Sequence, residues 1–323
     1  MENAITDFAS QFSFEPIVEN GECLKKDAKH VIVAGMGGSH LACGILKARV
    51  PGLELYVHRD YDVPPYDEKF LKDSLLIASS YSGNTEEVVS FLDEGIAKGY
   101  DMAVIATGGI LIEKAKEFGL PYILIPDTDI QPRSALGYST IALATFLGNE
   151  EVLQELAELA DILDPEEVRQ EGYSLAENLQ GKVPVIYASL RNLSVAYNWK
   201  IKMNETGKIP AFYNVFPELN HNEMTGFDVS EGTKELTEKF RFVFLRDRDD
   251  HERIQKRMKV AERLLEERGF EVLALELEGV NTFDKIFKSL LIADWTALHT
   301  ATLYGTEPEQ VPMIEEFKKL ITE

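Results

Sequence analysis

Cysteine is scarce. Cys23 and Cys43 are the only two in the chain, with no C-x-x-C pair and no metal-type spacing, so neither a disulfide framework nor a zinc site is expected. Long apolar runs are missing as well: no stretch reaches the roughly 18 apolar residues of a membrane span. The start, Met1-Glu2-Asn3-Ala4-Ile5-Thr6-Asp7, has neither the basic opening nor the apolar core of a signal peptide, which points to a soluble, cytoplasmic protein. Positive charge is in the minority, 33 Lys and Arg against 55 Asp and Glu, and the net charge of −22 repels nucleic acid and anionic lipid. No nucleic-acid or membrane partner is expected, and an anionic small molecule would need a locally favourable pocket. His30, His58, His251 and His299 show neither H-x-x-x-H nor H-E-x-x-H spacing, so no metal is expected through them.

What is present is hydrophobic mass and a regular alternation. A chain of 323 residues, 45% hydrophobic, is long enough for two cores. Short apolar runs at 30–34, 53–57, 75–78, 103–106 and 122–125 are separated by amphipathic stretches, the pattern of a parallel sheet covered by helices on both faces. A helix over 133–147 closes this first half, and the acidic stretch Asn149-Glu150-Glu151 with Glu155, Glu158 and Asp161 suggests an exposed helical connection, placing a boundary near residue 150. The pattern resumes with strands at 183–187, 211–215, 240–245 and 270–277. The fold class expected is α/β, with two domains, 1–150 and 151–323, each a parallel sheet flanked by helices. No residue-level repeat or low-complexity segment is visible.

Two segments carry anion-binding chemistry. Gly35-Met36-Gly37-Gly38-Ser39-His40 follows the first strand and opens a helix, where a glycine turn lets backbone N–H groups approach an anion. A dinucleotide fingerprint would need glycine where His40 stands, so G-x-G-x-x-G fails. Asp60, which could mimic the ribose-binding acid, is weak support in so acidic a chain. Ser79-Ser80-Tyr81-Ser82-Gly83-Asn84-Thr85-Glu86-Glu87 passes from the third strand into a helix through a run of hydroxyls. Hydroxyl donors and free helix N–H groups at strand carboxyl ends suit a phosphate monoester. The plainer reading is a capped helix start, with Asn84 or Thr85 as N-cap, and the two are compatible.

Further polar residues are singled out by position. Glu205, in Lys202-Met203-Asn204-Glu205-Thr206-Gly207, stands at the expected end of a helix that Gly207 would terminate, where the negative end of the dipole strengthens a carboxylate as a base. A surface glutamate there is also ordinary. His221 lies in a polar run between elements and could exchange protons near neutral pH, or be merely solvated. Arg133 could stabilise negative charge over a pocket, or pair with Asp127 or Asp129. In a terminal helix over 308–320, Val311, Ile314, Phe317 and Ile321 form an apolar stripe; Lys318 falls near its edge and Lys319 nearly opposite, so Lys318 is the one able to reach inward, or to snorkel over apolar surface.

Taken in order, Gly-Met-Gly-Gly-Ser after the first strand, Ser-Tyr-Ser-Gly-Asn-Thr after the third and Pro132-Arg133-Ser134-Ala135-Leu136-Gly137-Tyr138 after the fifth resemble the bifunctional phosphoglucose/phosphomannose isomerases, which contain two phosphosugar-binding (SIS) domains. The resemblance spans nearly the whole chain. It implies an aldose–ketose isomerase that interconverts glucose 6-phosphate and fructose 6-phosphate, and mannose 6-phosphate too, through a cis-enediol and without a metal or other cofactor. It implies Ser39, Ser80, Ser82 and Thr85 as phosphate ligands, assisted by the amides of Gly37 and Gly38. Glu205 matches the family's base, and Arg133 takes the role of stabilising the enediolate. His221, in Glu-x-x-His-Asn-Glu, and Lys318 match its ring-opening residues. Related isomerases supply this histidine from a neighbouring subunit, so a homodimer with a shared active site is implied. Two departures stand out: His40 where the family has a small residue, and Glu307-Pro308-Glu309-Gln310-Val311 where it often has Asp-Pro-Thr-Pro-Val, a stretch that bears on acceptance of the C2 epimer. The rival readings are an isomerase of another phosphosugar and a non-catalytic sugar-phosphate sensor.

Overall fold

The apolar run at 75–78 becomes the middle of a sheet. In the computed structural model, which describes residues 1–321, all six residues of Ser74–Ser79 are buried. A strand reads as continuously apolar when both of its faces are covered, and this one is. The strands of the first half are β1 (Val18–Glu19), β2 (His30–Ala34), β3 (Leu55–His58), β4 (Ser74–Ser79), β5 (Met102–Ala106) and β6 (Tyr122–Leu124), in the order β1-β6-β5-β4-β2-β3. All neighbours pair in parallel except β1, a two-residue edge strand antiparallel to β6 that is too short to leave a sequence pattern. One face packs Ile32, Leu76, Ala78 and Val104 against Val88, Phe91, Leu92, Leu111 and Ile112, the apolar stripes of the helices Glu86–Lys98 and Gly109–Phe118. The helix Leu136–Leu147 packs against Leu41–Arg49 and is buried almost all round, which accounts for its uniform hydrophobicity. It begins later than the sequence suggests, because Pro132–Ser134 forms a separate 3-10 turn.

Backbone contacts divide the chain into one unit of Thr6–Leu163 and another made of Met1–Ile5 with the chain from Asp164 onward. The expected boundary near 150 lies thirteen residues earlier than this division after Leu163. The intervening helix, Glu150–Ile162, belongs by contact to the first unit: Val152, Leu156 and Leu159 are buried, and it packs on the turn Phe8–Ser13. Its acids are not merely solvated, for Glu151 and Glu155 both accept hydrogen bonds from Arg49, at 2.7 and 2.5 Å.

The second unit holds β7 (Val183–Ser189), β8 (Phe212–Phe216), β9 (Phe240–Arg246) and β10 (Val272–Glu276), all parallel, in the order β10-β9-β7-β8. Val185, Tyr187, Phe242 and Phe244 pack on Met258, Ala261 and Leu265 of the helix Glu252–Glu266. The helix Leu193–Glu205 packs on β7 and on the long helix Thr282–Tyr304. Trp199 Nε1 donates to Ser289 Oγ at 3.0 Å, and Lys202 Nζ to Asp294 Oδ1 at 2.6 Å, both between these two helices. No helix among the described residues is long and apolar enough to cross a membrane, and no group of His, Cys, Asp and Glu among them could hold a metal ion.

Candidate active site

In the first sheet β3 lies to one side of β2 while β4, β5 and β6 follow on the other. The chain therefore reverses its direction of winding between β2 and β4, and open parallel sheets take ligands in the crevice outside the carboxyl ends at such a point. The glycine turn leaves β2 there and the serine loop leaves β4. They are laced together: Ser79 Oγ donates to the Ser39 carbonyl at 3.0 Å, and Ser39 Oγ accepts from the Tyr81 amide at 3.1 Å. Ser80, only 2% exposed, shares a 2.7 Å hydrogen bond with the Thr85 hydroxyl, and its Oγ accepts from the Gly83 amide at 3.2 Å. Ser82 is exposed, and its Oγ accepts from the Asn84 amide at 3.3 Å.

Thr85 stands at the N-cap of Glu86–Lys98, yet its side chain makes no capping hydrogen bond. A hydroxyl that caps a helix satisfies one of its free N–H groups; here the hydroxyl turns to Ser80 instead and leaves the helix start available to an anion. Asn84, the other expected cap, serves a different helix: its Oδ1 accepts from the Ile110 amide at 3.0 Å, at the start of Gly109–Phe118. Gly83 meets two constraints, a φ of +71° and a Cβ position 1.8 Å from the Gly108 carbonyl oxygen. Gly83→Ala should strain the loop by about 1–3 kcal/mol. Its phosphate affinity should fall roughly tenfold or more, equivalent to ~1.4 kcal/mol. A phosphate titration beside a urea unfolding curve reads both.

The third motif closes over the first. A Cβ on Gly38 would lie 2.8 Å from the Pro132 carbonyl oxygen, so only glycine lets the turn Pro132–Ser134 sit this close. Arg133 is 2% exposed, with Nη1 3.5 Å from Gln131 Oε1. A guanidinium this far from water is a strong charge in a small space. Gln11 holds the motif: Nε2 donates to the Ser134 carbonyl at 2.7 Å and Oε1 accepts from the Gly137 amide at 3.0 Å. Sequence reasoning missed Gln11, and no local signal could have found it, since its partners lie more than 120 residues away. It missed Ser134 too, whose Oγ is buried with no hydrogen-bond partner among the described residues. His40 is buried, and burial, with a smaller push from Arg59, lowers its pKa to about 4. The imidazole is uncharged at neutral pH.

The first unit thus brings together Gly37, Gly38, Ser39, Ser80, Ser82, Thr85 and Arg133. In the second, Glu205, His221 and Lys318 stand on three separate elements. Glu205 is the last, half-buried residue of its helix, and its carbonyl accepts from Lys208 Nζ at 2.6 Å; the same ammonium donates to the Gln310 carbonyl, tying the helix end to the segment before the terminal helix. His221 ends the turn Glu218–His221 and is exposed. Its flank is fixed by Glu223, which accepts from Tyr187 Oη and Asn214 Nδ2. The terminal helix runs Pro312–Ile321, later than expected, and has no buried residue. Lys318 Nζ pairs with Glu315 at 2.9 Å. Helical phase points Lys318 inward, and among the described residues the stripe it is measured from has Ile314, Phe317 and Ile321 exposed.

Residues 169–321 match the family described as the bacterial phospho-glucose isomerase C-terminal SIS domain. The chain is 32% identical over 321 residues to a bifunctional phosphoglucose/phosphomannose isomerase from Aquifex aeolicus, covering 98% of this chain and 96% of that one. It is 34% identical over 319 residues to the protein of the same name from Caldicellulosiruptor bescii, covering 92% and 91%. Among solved structures, a hypothetical protein from Thermus thermophilus shares the fold with a TM-score of 0.73 at 18% identity, covering 99% of this chain and 90% of that one.

Proposed function

The chain belongs to the bifunctional phosphoglucose/phosphomannose isomerase family, and from that membership we propose that it interconverts glucose 6-phosphate and fructose 6-phosphate, and mannose 6-phosphate as well. The observation that carries the ligand class is the uncapped helix start beside Ser80 and Thr85 at the β2/β4 reversal. A phosphate there accepts from hydroxyls and amides, and its charge meets the positive end of the helix dipole.

In the mechanism we propose, His221 and Lys318 open the sugar ring by moving the proton between O5 and O1. Glu205 then takes the proton from C2 of the open-chain aldose. The C–H electron pair forms the C1–C2 double bond, and the carbonyl pair moves onto O1, where Arg133 stabilises the charge. Return of that proton from Glu205 to C1, with transfer of the O2 proton to O1 as the O2–H pair forms the C2 carbonyl, gives the ketose. Glucose and mannose differ only at C2, which becomes planar in the cis-enediol, so one intermediate serves both. The reading includes a homodimer in which His221 reaches the neighbouring copy. Its support is that His221 is exposed and that Met313 and Phe317 on the terminal helix are 81% and 61% exposed, an apolar face of the kind that marks an interface. We also place the protein in the cytoplasm.

The test is proton exchange followed by NMR in deuterated water with glucose, mannose and fructose 6-phosphates on the purified protein. Interconversion of all three with deuterium entering at C2 is expected. Binding without exchange would leave a sugar-phosphate sensor, and exchange confined to a different phosphosugar would leave an isomerase of another substrate.

A further inference from the structure

The four strands of the second unit, β10-β9-β7-β8, repeat the order of β5-β4-β2-β3 in the first. With β8 on one side of β7 and β9 and β10 on the other, its winding reverses between β7 and β9. The loops leaving those strands correspond in place to the glycine turn and the serine loop. Asp247 is the first residue beyond β9, as Ser80 is the first beyond β4, and Asp249 stands where Ser82 does. Hydroxyl donors have given way to carboxylates.

That crevice is already filled by the chain. Asp247 is 3% exposed. Its Oδ1 accepts from Lys285 Nζ at 2.7 Å and from the Asp249 amide at 3.0 Å. Its Oδ2 accepts from Asn192 Nδ2 at 3.0 Å, with Arg191 Nη1 at 3.8 Å. Lys285 also reaches Asp249 Oδ2 at 2.6 Å. An ammonium, a guanidinium, a side-chain amide and a backbone N–H converging on one point form the donor set of an oxyanion site. Burial works against charge on both partners, yet their mutual hydrogen bonds prevail, holding Asp247 below and Lys285 above its ordinary pKa. Asp250, 6% exposed with Oδ2 unpartnered among the described residues, adds a further acceptor to the crevice and no donor.

We propose that this crevice is a phosphate cradle closed by its own chain, with the Asp247 carboxylate in the place of the phosphate. The protein then takes phosphate at one crevice per chain, and Lys285, Arg191 and Asn192 form a latent second site. The inference rests on the β7/β9 crevice and does not depend on isomerase activity.

Equilibrium dialysis of the full chain against inorganic phosphate tests it. The parent is expected to bind one phosphate per chain, and Asp247→Ser with Asp249→Ser to bind two. Adding Lys285→Met to that pair should weaken the second site at least tenfold. Two phosphates on the parent, or one on the folded double variant, would overturn the proposal. Should the double variant not fold, Ser80→Ala with Thr85→Ala in the parent decides it: loss of phosphate binding is expected, and a stoichiometric site that persists but disappears with Lys285→Met would show the second crevice to be open.

Discussion

Replacing Glu205 with Gln is expected to lower turnover of glucose 6-phosphate by roughly 10²–10⁴-fold, the usual contribution of a positioned general base. Deuterium entry at C2 should fall in parallel. The amide has the size of the carboxylate but cannot accept the C2 proton. Two features keep the variant otherwise intact. Lys208 Nζ donates to the carbonyl of residue 205 and to that of Gln310, two bonds to backbone that the substitution leaves in place. The proposed phosphate ligands lie on the first unit, where the hydrogen bonds lacing Ser39, Ser79, Ser80 and Thr85 run among residues of that unit. Turnover should therefore collapse while phosphate affinity stays within about twofold, a difference of ~0.4 kcal/mol. Retained exchange at C2 would remove Glu205 from the role of base, and equal losses in turnover and phosphate affinity would show a disturbed fold instead.

The largest expected loss of stability comes from Lys202, three residues earlier on the same helix. Its ammonium meets Asp294 at 2.6 Å with side-chain exposures of 2% and 5%. Two charges this deeply buried offset one another's loss of hydration, and removing one leaves the other without that counterion in a medium that solvates it poorly. Lys202→Met is expected to cost about 3–5 kcal/mol in urea unfolding. Adding Asp294→Leu should recover most of that, since replacing both members of a buried pair with apolar groups of similar size is often neutral or better. A loss below ~1 kcal/mol for Lys202→Met, the range of exposed pairs, would mean the pair is more hydrated than its burial indicates. The same variant probes the proposed base at a distance, because the Lys202 carbonyl accepts from the amides of Thr206 and Gly207 at 2.9 and 3.1 Å and so closes the helix just beyond Glu205.

Much of this molecule is written locally. Apolar runs such as Ser74–Ser79 and Phe240–Arg246 become strands because continuous burial leaves a continuous hydrophobic signal. The hydroxyl run 79–85 is legible because its hydroxyls and its helix start are neighbours in the chain. The edge strand Val18–Glu19 is invisible, since two residues carry no period. The acidic helix Glu150–Ile162 reads as a solvated connection because its charges are conspicuous and its three-residue apolar stripe is not.

The sequence by itself determined the alternation of strands and helices, the two-sheet class, and the run of hydroxyls at residues 80–85 leading into a helix start. All of these depend on interactions within a few residues. Only the tertiary structure decided that Thr85 turns to Ser80 rather than capping its helix, that Gln11 holds the Arg133 turn, that the terminal helix stays uncovered, and that Asp247 fills the second crevice with Lys285. Each of those depends on which competing partner a polar group or an apolar face meets once distant segments pack. Residue type says only that a side chain can bond, and packing selects the bond it makes.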